Sequence, residues 1–325
     1  MRTGKELINA SKQFCFEDRF RSWIELATTL LLVGLFFTGT LLDSVPLPVR
    51  ILSSMICGLL YVRMFVIYHD FQHRAILQNS RLAHWIMIGI GIFMLAPETI
   101  WKRSHDYHHN HNSKLTLSGV GSYPTVSKER FLKLTRGERL LYLINRHPLT
   151  VAFGYFTLFI YWLNIKSFVQ SFKKHFDSLI AIVFHFAVGI LMLVYFGFVT
   201  FLLAWFCPFL LAFAIGAYLF YCQHNFPGAQ FRENQDWAYD QAALTSTSYM
   251  VMSPVMQWFT GNIGYHHVHH LNSRIPFYRL KEAMNSMPEL KNVPTTSWHP
   301  MEVIRCLNLK LWDAENKKMI TLRQL

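Results

Sequence analysis

The sequence predicts an all-α integral membrane protein, and three observations support this fold class. Of 325 residues, 52% are hydrophobic and only 15% are charged, whereas a soluble domain normally carries about a quarter charged residues. Apolar stretches long enough to cross a bilayer recur along the chain. Most of the 16 histidines lie in a few tight groups near the ends of those stretches, which indicates a histidine-rich polar cap.

The apolar stretches give the number of crossings. A helix needs about 20 apolar residues to span the hydrocarbon core of a bilayer. The first, second, fifth and sixth stretches meet or approach that length, so we predict about four transmembrane helices. The third is short and the fourth marginal, which predicts embedded or interfacial helices. The six stretches are 24–42, 48–68, 83–96, 149–165, 179–196 and 198–222.

The positions of the histidine groups predict the topology. They can build one site only if they share one side of the membrane, which four crossings arranged as two hairpins allow. The outer turns then fall at 43–48 and around Gly197, and Arg50 is the only basic residue near either turn. The positive-inside rule therefore puts both termini and the histidine-rich cap in the cytoplasm. We expect a multi-pass protein with a single domain over 1–325.

Charge and cysteine usage narrow the function classes. The net charge of +12 is compatible with nucleic acid or with an anionic membrane surface, and the long apolar stretches favour the membrane. We therefore expect the lipid bilayer, and no nucleic acid, as a partner. The five cysteines are scattered and form no CxxC pair for an iron–sulfur cluster or a redox dithiol.

Three histidine groups carry the candidate chemistry. Within each group the spacing is i, i+4 or i, i+3, i+4, which on a helix places the imidazoles on one face. A further histidine, His224, follows the last crossing. The grouped residues are His69 and His73 in HDFQH; His105, His108 and His109 in HDYHH; and His266, His269 and His270 in GYHHVHH.

Eight or nine imidazoles predict two metal ions. Neutral imidazole suits iron, zinc, copper and nickel, and so many ligands exceed what one ion holds. Zinc is redox-inert, whereas oxidation of an unactivated hydrocarbon in a membrane needs a strong oxidant, which a pair of irons with oxygen provides. Iron is thus assigned by chemistry and not by spacing. The competing interpretation is a pH-sensitive or surface metal-trapping patch.

Other histidines have ordinary explanations. His111 and His267 are ambiguous, because at 100° per residue His267 fits the stripe of the third group as well as His269 does. Isolated histidines on apolar helices usually pack or form hydrogen bonds. We place in this class His84, His147, His175, His185 and His299.

The three groups, in this order and with these gaps, resemble the histidine boxes of the membrane fatty acid desaturase superfamily. The resemblance runs over about 63–280, and Gly261 to Leu280 (GNIGYHHVHHLNSRIPFYRL) resembles the neighbourhood of the third box in acyl-lipid desaturases. It implies an oxygen-dependent oxidoreductase with two irons that puts a double bond into an acyl chain. The ligands that it implies are His69, His73, His105, His108, His109, His266, His269 and His270, with His224 as the ninth, while His111 and His267 are left out.

The resemblance also indicates the substrate and the electron source. His266 opens the third box where front-end desaturases have Gln, and the first box is shorter than in the acyl-CoA branch. A lipid-linked acyl substrate is therefore expected. The chain has no HPGG motif of a fused cytochrome domain, which implies a separate electron donor of the ferredoxin or cytochrome b5 type.

Two alternatives stay open. A carotenoid hydroxylase or ketolase, or an alkane hydroxylase, uses similar histidine boxes to insert oxygen. A metal transporter lined by histidines is the non-enzyme alternative, although transporter sites tend to lie at mid-membrane.

Two kinds of supporting residue are also predicted. Asp70, Asp106 and Asn262 are candidates to orient the imidazoles, because a ligating histidine usually donates its other ring nitrogen to an oxygen. Trp101 and the two basic residues after it are predicted to lie on an interfacial surface.

Overall fold

Helices make up most of the computed structural model, which describes residues 1–115 and 123–325. The α-helices are α1 (Gly4–Ser11), α2 (Arg19–Leu41), α3 (Leu47–Gln72), α4 (Arg81–Phe93), α5 (Glu98–His111), α6 (Lys128–Lys133), α7 (Arg136–Asn145), α8 (Pro148–Ala152), α9 (Ser167–Gln170), α10 (Phe176–Phe201), α11 (Cys207–Cys222), α12 (Tyr239–Thr245), α13 (Pro254–Phe259), α14 (His266–Leu271), α15 (Leu280–Ser286) and α16 (Pro300–Asn308). Two π-helices span Tyr155–Lys166 and Leu202–Phe206.

Within the described residues, three helical stretches are long and apolar enough to cross a membrane. They are α2, α3 and the continuous stretch Phe176–Cys222. Leu31 and Leu35 of α2 are 74% and 63% exposed, as expected for side chains that face lipid and not water. The prediction of a mostly helical membrane protein is confirmed.

The third stretch is a hairpin that turns at Gly197. The backbone of Gly197 has φ +78° and ψ 172°, a conformation essentially restricted to glycine. Residues equally far from Gly197 on its two sides meet: the ring of His185 lies 4.8 Å from that of Phe209, and a Cβ on Gly189 would lie 3.2 Å from Nε1 of Trp205. The chain therefore reverses where the sequence predicts an outer turn.

Arg50 joins this turn to the turn between α2 and α3. Its Nη2 donates to the hydroxyl of Thr200 at 2.7 Å, and its Nη1 donates to Asp43 Oδ1 at 2.6 Å. The guanidinium is buried. Both turns therefore lie at one end of the helices, and the C-terminal ends of α3 and α11 lie at the other.

A bend of 87° separates α4 from α5. Leu95 has φ +50° within the bend, Pro97 precedes α5, and the side-chain amide of Asn164 donates to the Leu95 carbonyl at 2.7 Å. The apolar α4 thus ends, and the polar α5 continues in a new direction with its histidines near the end of α3.

Five short strands, which the predicted all-α fold does not include, add two small sheets. β1 (Val126–Ser127) pairs in parallel with β4 (Leu309–Asp313), which pairs antiparallel with β5 (Lys318–Thr321). β2 (Tyr249–Val251) pairs in parallel with β3 (Thr295–Ser297). These pairings connect the C-terminal residues to the segment before α6 and to the segment after α12.

Candidate metal centre

Four elements bring nine histidines together at one end of the long helices. α3 supplies two from its end, α5 and α14 supply three each, and one follows α11. They form two groups, in each of which one potential ligand atom per residue lies within 4.8 Å of all the others. The five-histidine group is His69, His73, His105, His109 and His269, and the four-histidine group is His108, His224, His266 and His270.

Ring nitrogens converge at the centre of the five-histidine group. His105 Nε2 lies 2.8 Å from His69 Nε2 and 3.1 Å from His109 Nε2. His109 Nε2 in turn lies 3.1 Å from His269 Nε2. These four histidines are buried, so their nitrogens face one another and not solvent.

The four-histidine group has the same construction around His224. The Nε2 atom of His224 lies 3.1 Å from that of His108 and 2.9 Å from that of His266. The two groups touch, because the rings of His109 and His270 stack with centroids 4.2 Å apart. Two adjacent centres are therefore possible here.

Helical spacing explains how two helices serve both groups. On α5, His105 and His109 are four residues apart and enter the five-histidine group, while His108 enters the other. On α14 the arrangement is reversed: His266 and His270 enter the four-histidine group and His269 enters the five-histidine group. Residues at i and i+4 lie above one another on a helix, so each such pair serves one group and the i+3 residue the other.

The donor set fits metal ions. Six nitrogens around an ion at about 2.1 Å would lie roughly 3 Å from their neighbours, close to the separations seen here. His73 Nε2 and His270 Nε2 are buried with no hydrogen-bond partner among residues 1–115 and 123–325. Burial, and then neighbouring imidazoles, lower the pKa of His266, His269 and His270 well below the usual value of histidine. Neutral imidazoles present the lone pairs that a metal needs.

The two ambiguous histidines lie outside both groups. His111 Nδ1 lies 2.9 Å from the Tyr107 carbonyl, and its ring stacks on Tyr107. His267 Nε2 lies 3.1 Å from the Leu290 carbonyl. Of the third sequence group, the structure brings His269 and not His267 into contact with the other histidines.

Of the three candidate orienting residues, Asp70 contacts a clustered histidine. Its Oδ1 lies 3.2 Å from His69 Nδ1, and its Oδ2 accepts a hydrogen bond from the Phe277 amide at 2.6 Å. Asp106 forms an ion pair with Lys102 at 3.1 Å. Asn262 donates to the Phe277 carbonyl at 3.2 Å. Asp70 thus holds the His69 ring by its outer nitrogen.

The prediction that Trp101 lies on an interfacial surface is wrong. Trp101 is buried and stacks on His105, with ring centroids 4.9 Å apart and planes 16° apart. The physical reason is helical periodicity, since i and i+4 residues share a face and Trp101 precedes His105 by four residues. That spacing was readable in the sequence.

The structure also reveals a cavity that sequence reasoning missed. It has a volume of about 660 Å³ and is lined by His105 together with residues of α5, α11 and the π-helix Tyr155–Lys166. No motif marks its walls, because they are ordinary apolar and polar residues that the tertiary fold brings together.

Known proteins match this sequence over most of the chain. The sequence model of a family described as "Fatty acid desaturase" matches residues 44–300. A "Fatty acid desaturase" from Bacillus subtilis (strain 168) is 29% identical over 323 residues, covering 99% of this chain and 91% of the relative. An "sn-1 oleoyl-lipid 12-desaturase" from Synechocystis is 25% identical, covering 94% and 85%. An "Omega-6 fatty acid desaturase, chloroplastic" from Glycine max is 25% identical, covering 99% and 76%.

Proposed function

Because the chain belongs to the fatty acid desaturase family, we propose that it is a diiron, oxygen-dependent desaturase of lipid-linked acyl chains. Family membership makes the chain an oxidoreductase and confirms the resemblance that the histidine groups indicated. The observation that carries the finer proposal is the pair of adjacent, buried histidine groups beside a cavity at one end of apolar helices. Relatives described as "sn-1 oleoyl-lipid 12-desaturase" support the lipid-linked substrate.

The nine clustered histidines are the proposed ligands. The five-histidine group would hold one iron and the four-histidine group the other, because each group alone approaches the ligand number of one ion. When bound, the iron pair supplies redox chemistry with oxygen. Two neighbouring methylenes each lose one hydrogen and become a double bond, while oxygen takes up these two hydrogens, two delivered electrons and two protons and leaves as two waters.

The protein's own residues orient the histidine rings, exclude water and position the acyl chain. Asp70 keeps the His69 ring oriented through Nδ1, which leaves Nε2 for the metal. Trp101 covers one face of the His105 ring and keeps water from that side. An acyl chain in the neighbouring cavity would place one carbon pair near His105, and positioning of this kind supplies much of the selectivity of enzymes.

The proposed topology has four crossings: α2, α3 and the two arms of the hairpin at Gly197. The hydrogen bond from Arg50 to Thr200 supports this topology, because it joins both turns at the end away from the histidines. With the termini and histidines in the cytoplasm, a soluble electron donor of the ferredoxin or cytochrome b5 type can reach the site. We propose that the whole chain, 1–325, works as one domain.

One experiment tests the proposed activity. The chain is expressed in a host with a simple lipid profile, and the acyl chains of total lipid are identified by mass spectrometry, with His269→Ala as the inactive control. New double bonds that depend on His269 support the proposal. Hydroxyl or keto products would assign the chain to oxygen insertion, and metal uptake without a lipid product would favour transport.

A further inference from the structure

The cavity beside the five-histidine group has walls suited to a hydrocarbon chain. Its volume of about 660 Å³ lies within the roughly 300–1,000 Å³ that ligand sites occupy. His105 and Trp101 line it, so a bound chain would run to the histidine centre. Its apolar walls are formed by Ile100, Trp101, Leu158, Trp162, Leu163 and Phe220.

Three basic side chains line the same cavity. Arg103 and Lys174 are exposed, and Lys166 is half-buried with Nζ 3.4 Å from the centroid of the Trp162 ring. None of the three forms an ion pair with a carboxylate in the described part of the chain. No Asp or Glu lines the cavity over 1–115 and 123–325, and the sequence 116–122, TLSGVGS, contains none.

A chain of polar contacts holds Arg103 in place. Its Nη1 lies 3.4 Å from Nε2 of the buried His175, and His175 Nδ1 lies 3.0 Å from the Thr99 hydroxyl. That hydroxyl donates to Asp177 at 2.6 Å. Burial, followed by the nearby Arg103, lowers the pKa of His175, so the neutral ring accepts from the guanidinium. Arg103 is thus fixed by a neutral acceptor and keeps its charge for another partner.

We propose that this cavity binds a phospholipid, with the acyl chain along the apolar walls and the phosphate held by Arg103, Lys166 and Lys174. The inference rests on the proposed function, because the bound chain would be the one desaturated. Three cations without carboxylate partners match a phosphate, which accepts several charge-assisted hydrogen bonds at once. A head group without charge, such as a sugar, would leave all three unpaired.

The test compares three carriers of the same oleoyl chain on the purified, iron-loaded protein. Dioleoyl-phosphatidylglycerol, monogalactosyl dioleoylglycerol and oleoyl-CoA are each titrated in detergent, and native mass spectrometry measures the dissociation constants. We expect the phospholipid to bind about tenfold or more tightly than the galactolipid. Replacing the three cations together (Arg103→Gln, Lys166→Gln and Lys174→Gln) should bring that ratio close to one.

Two further variants control for charge and folding. The charge-conserving combination Arg103→Lys, Lys166→Arg and Lys174→Arg should keep most of the preference. A second triple variant removes the same charge from exposed positions that do not line the cavity. It combines Lys133→Gln, Lys291→Gln and Arg305→Gln and should leave the ratio of the two lipid affinities unchanged.

The outcomes separate this inference from the proposed activity. The phosphate site is overturned if the unaltered protein binds phospholipid and galactolipid with equal affinity. It is also overturned if the preference for phospholipid survives the three Gln substitutions. Both conclusions hold even if desaturation is found. Tighter binding of oleoyl-CoA than of phosphatidylglycerol overturns the lipid carrier. The protein could also prefer phospholipid through the three cations and yet form no double bonds. That result would contradict the proposed function and support the binding site.

Discussion

His267 points its Nε2 atom at the carbonyl oxygen of Leu290, 3.1 Å away, and not at the neighbouring histidines. Burial lowers the pKa of His267 to about 3, so its ring is neutral and donates this hydrogen bond. Two residues along α14, His269 has its Nε2 atom 3.1 Å from that of His109. Two positions of one short helix, two residues apart, thus have different environments, and substitution should separate them.

We expect His269→Ala to abolish desaturation, since one nitrogen of the five-histidine group is lost. His267→Asn, which keeps a side-chain donor toward Leu290, should retain at least part of the activity. Product formation is measured in membranes with the amount of each variant matched by immunoblot. An active His269→Ala beside an inactive His267→Asn would show that the ligand register of α14 is wrong.

Metal content should follow the grouping of the histidines. The purified protein is expected to hold about two irons, because the nine imidazoles form two separate sets. His224→Ala removes the residue at the centre of the four-histidine group, so it should lower the iron content toward one. His111→Ala, which alters a ring stacked on Tyr107, should leave it unchanged. Elemental analysis measures both, and equal loss in the two variants would contradict the assignment.

Asp70 should govern how firmly the metal is held. The variant Asp70→Asn keeps the size of the side chain but removes the charge that faces His69 and the Phe277 amide. Losing such a partner typically weakens metal binding about 10- to 100-fold. Iron retention during dialysis against a chelator checks this. Asp106→Asn, whose carboxylate pairs with Lys102, serves as the matched control, and the proposal fails if both variants release iron alike.

Gly197→Ala should destabilise the fold without touching the histidines. A Cβ at φ +78°, ψ 172° costs about 1–3 kcal/mol. In contrast, Gly34→Ala should be neutral or slightly stabilising, because Gly34 lies inside α2 and nothing lies within 4 Å of an added Cβ. Thermal unfolding in detergent compares the two variants. An unchanged transition for Gly197→Ala would indicate that the turn relaxes freely.

Membrane orientation is tested by labelling. The turn between α2 and α3 contains Ser44, and α6 begins at Lys128 near β1. A membrane-impermeant thiol reagent applied from outside should label Ser44→Cys and not Lys128→Cys. The labelling is done on a background in which the native cysteines are replaced and activity is retained. Outside labelling at Lys128→Cys would refute the topology of four crossings with a cytoplasmic cap.

The sequence predicted those features that depend on local spacing. The stripe of His105, His108 and His109 follows from helical periodicity, and the turn at Gly197 follows from a break between two apolar stretches. Both need only neighbouring residues. The division into two histidine sets was not predicted, because helical spacing placed all the imidazoles of one sequence group on one face, whereas the i+3 residue of α5 and of α14 enters the other set.

Features that join distant residues were not predictable in this way. Asp70 accepts a hydrogen bond from an amide 207 positions away, and strand β1 finds its partner in β4. The cavity brings together residues of α5, α11 and the π-helix Tyr155–Lys166. In the bend between α4 and α5, φ +50° at Leu95 has no sequence signal such as glycine. Each of these depends on the packing of separate helices and not on any one segment.

The buried hydrogen bond from Arg50 to Thr200 has a consequence for the order in which the helices assemble. Residues 19–72 leave the ribosome before residues 176–222, so the first hairpin enters the bilayer while Thr200 is still unsynthesised. Until then Arg50 lacks one of its hydrogen-bond acceptors, and an unsatisfied buried donor is costly in lipid. Docking of the second hairpin relieves that penalty. The contact therefore couples the two hairpins, because Arg50 gains its acceptor on Thr200 only when both are in place.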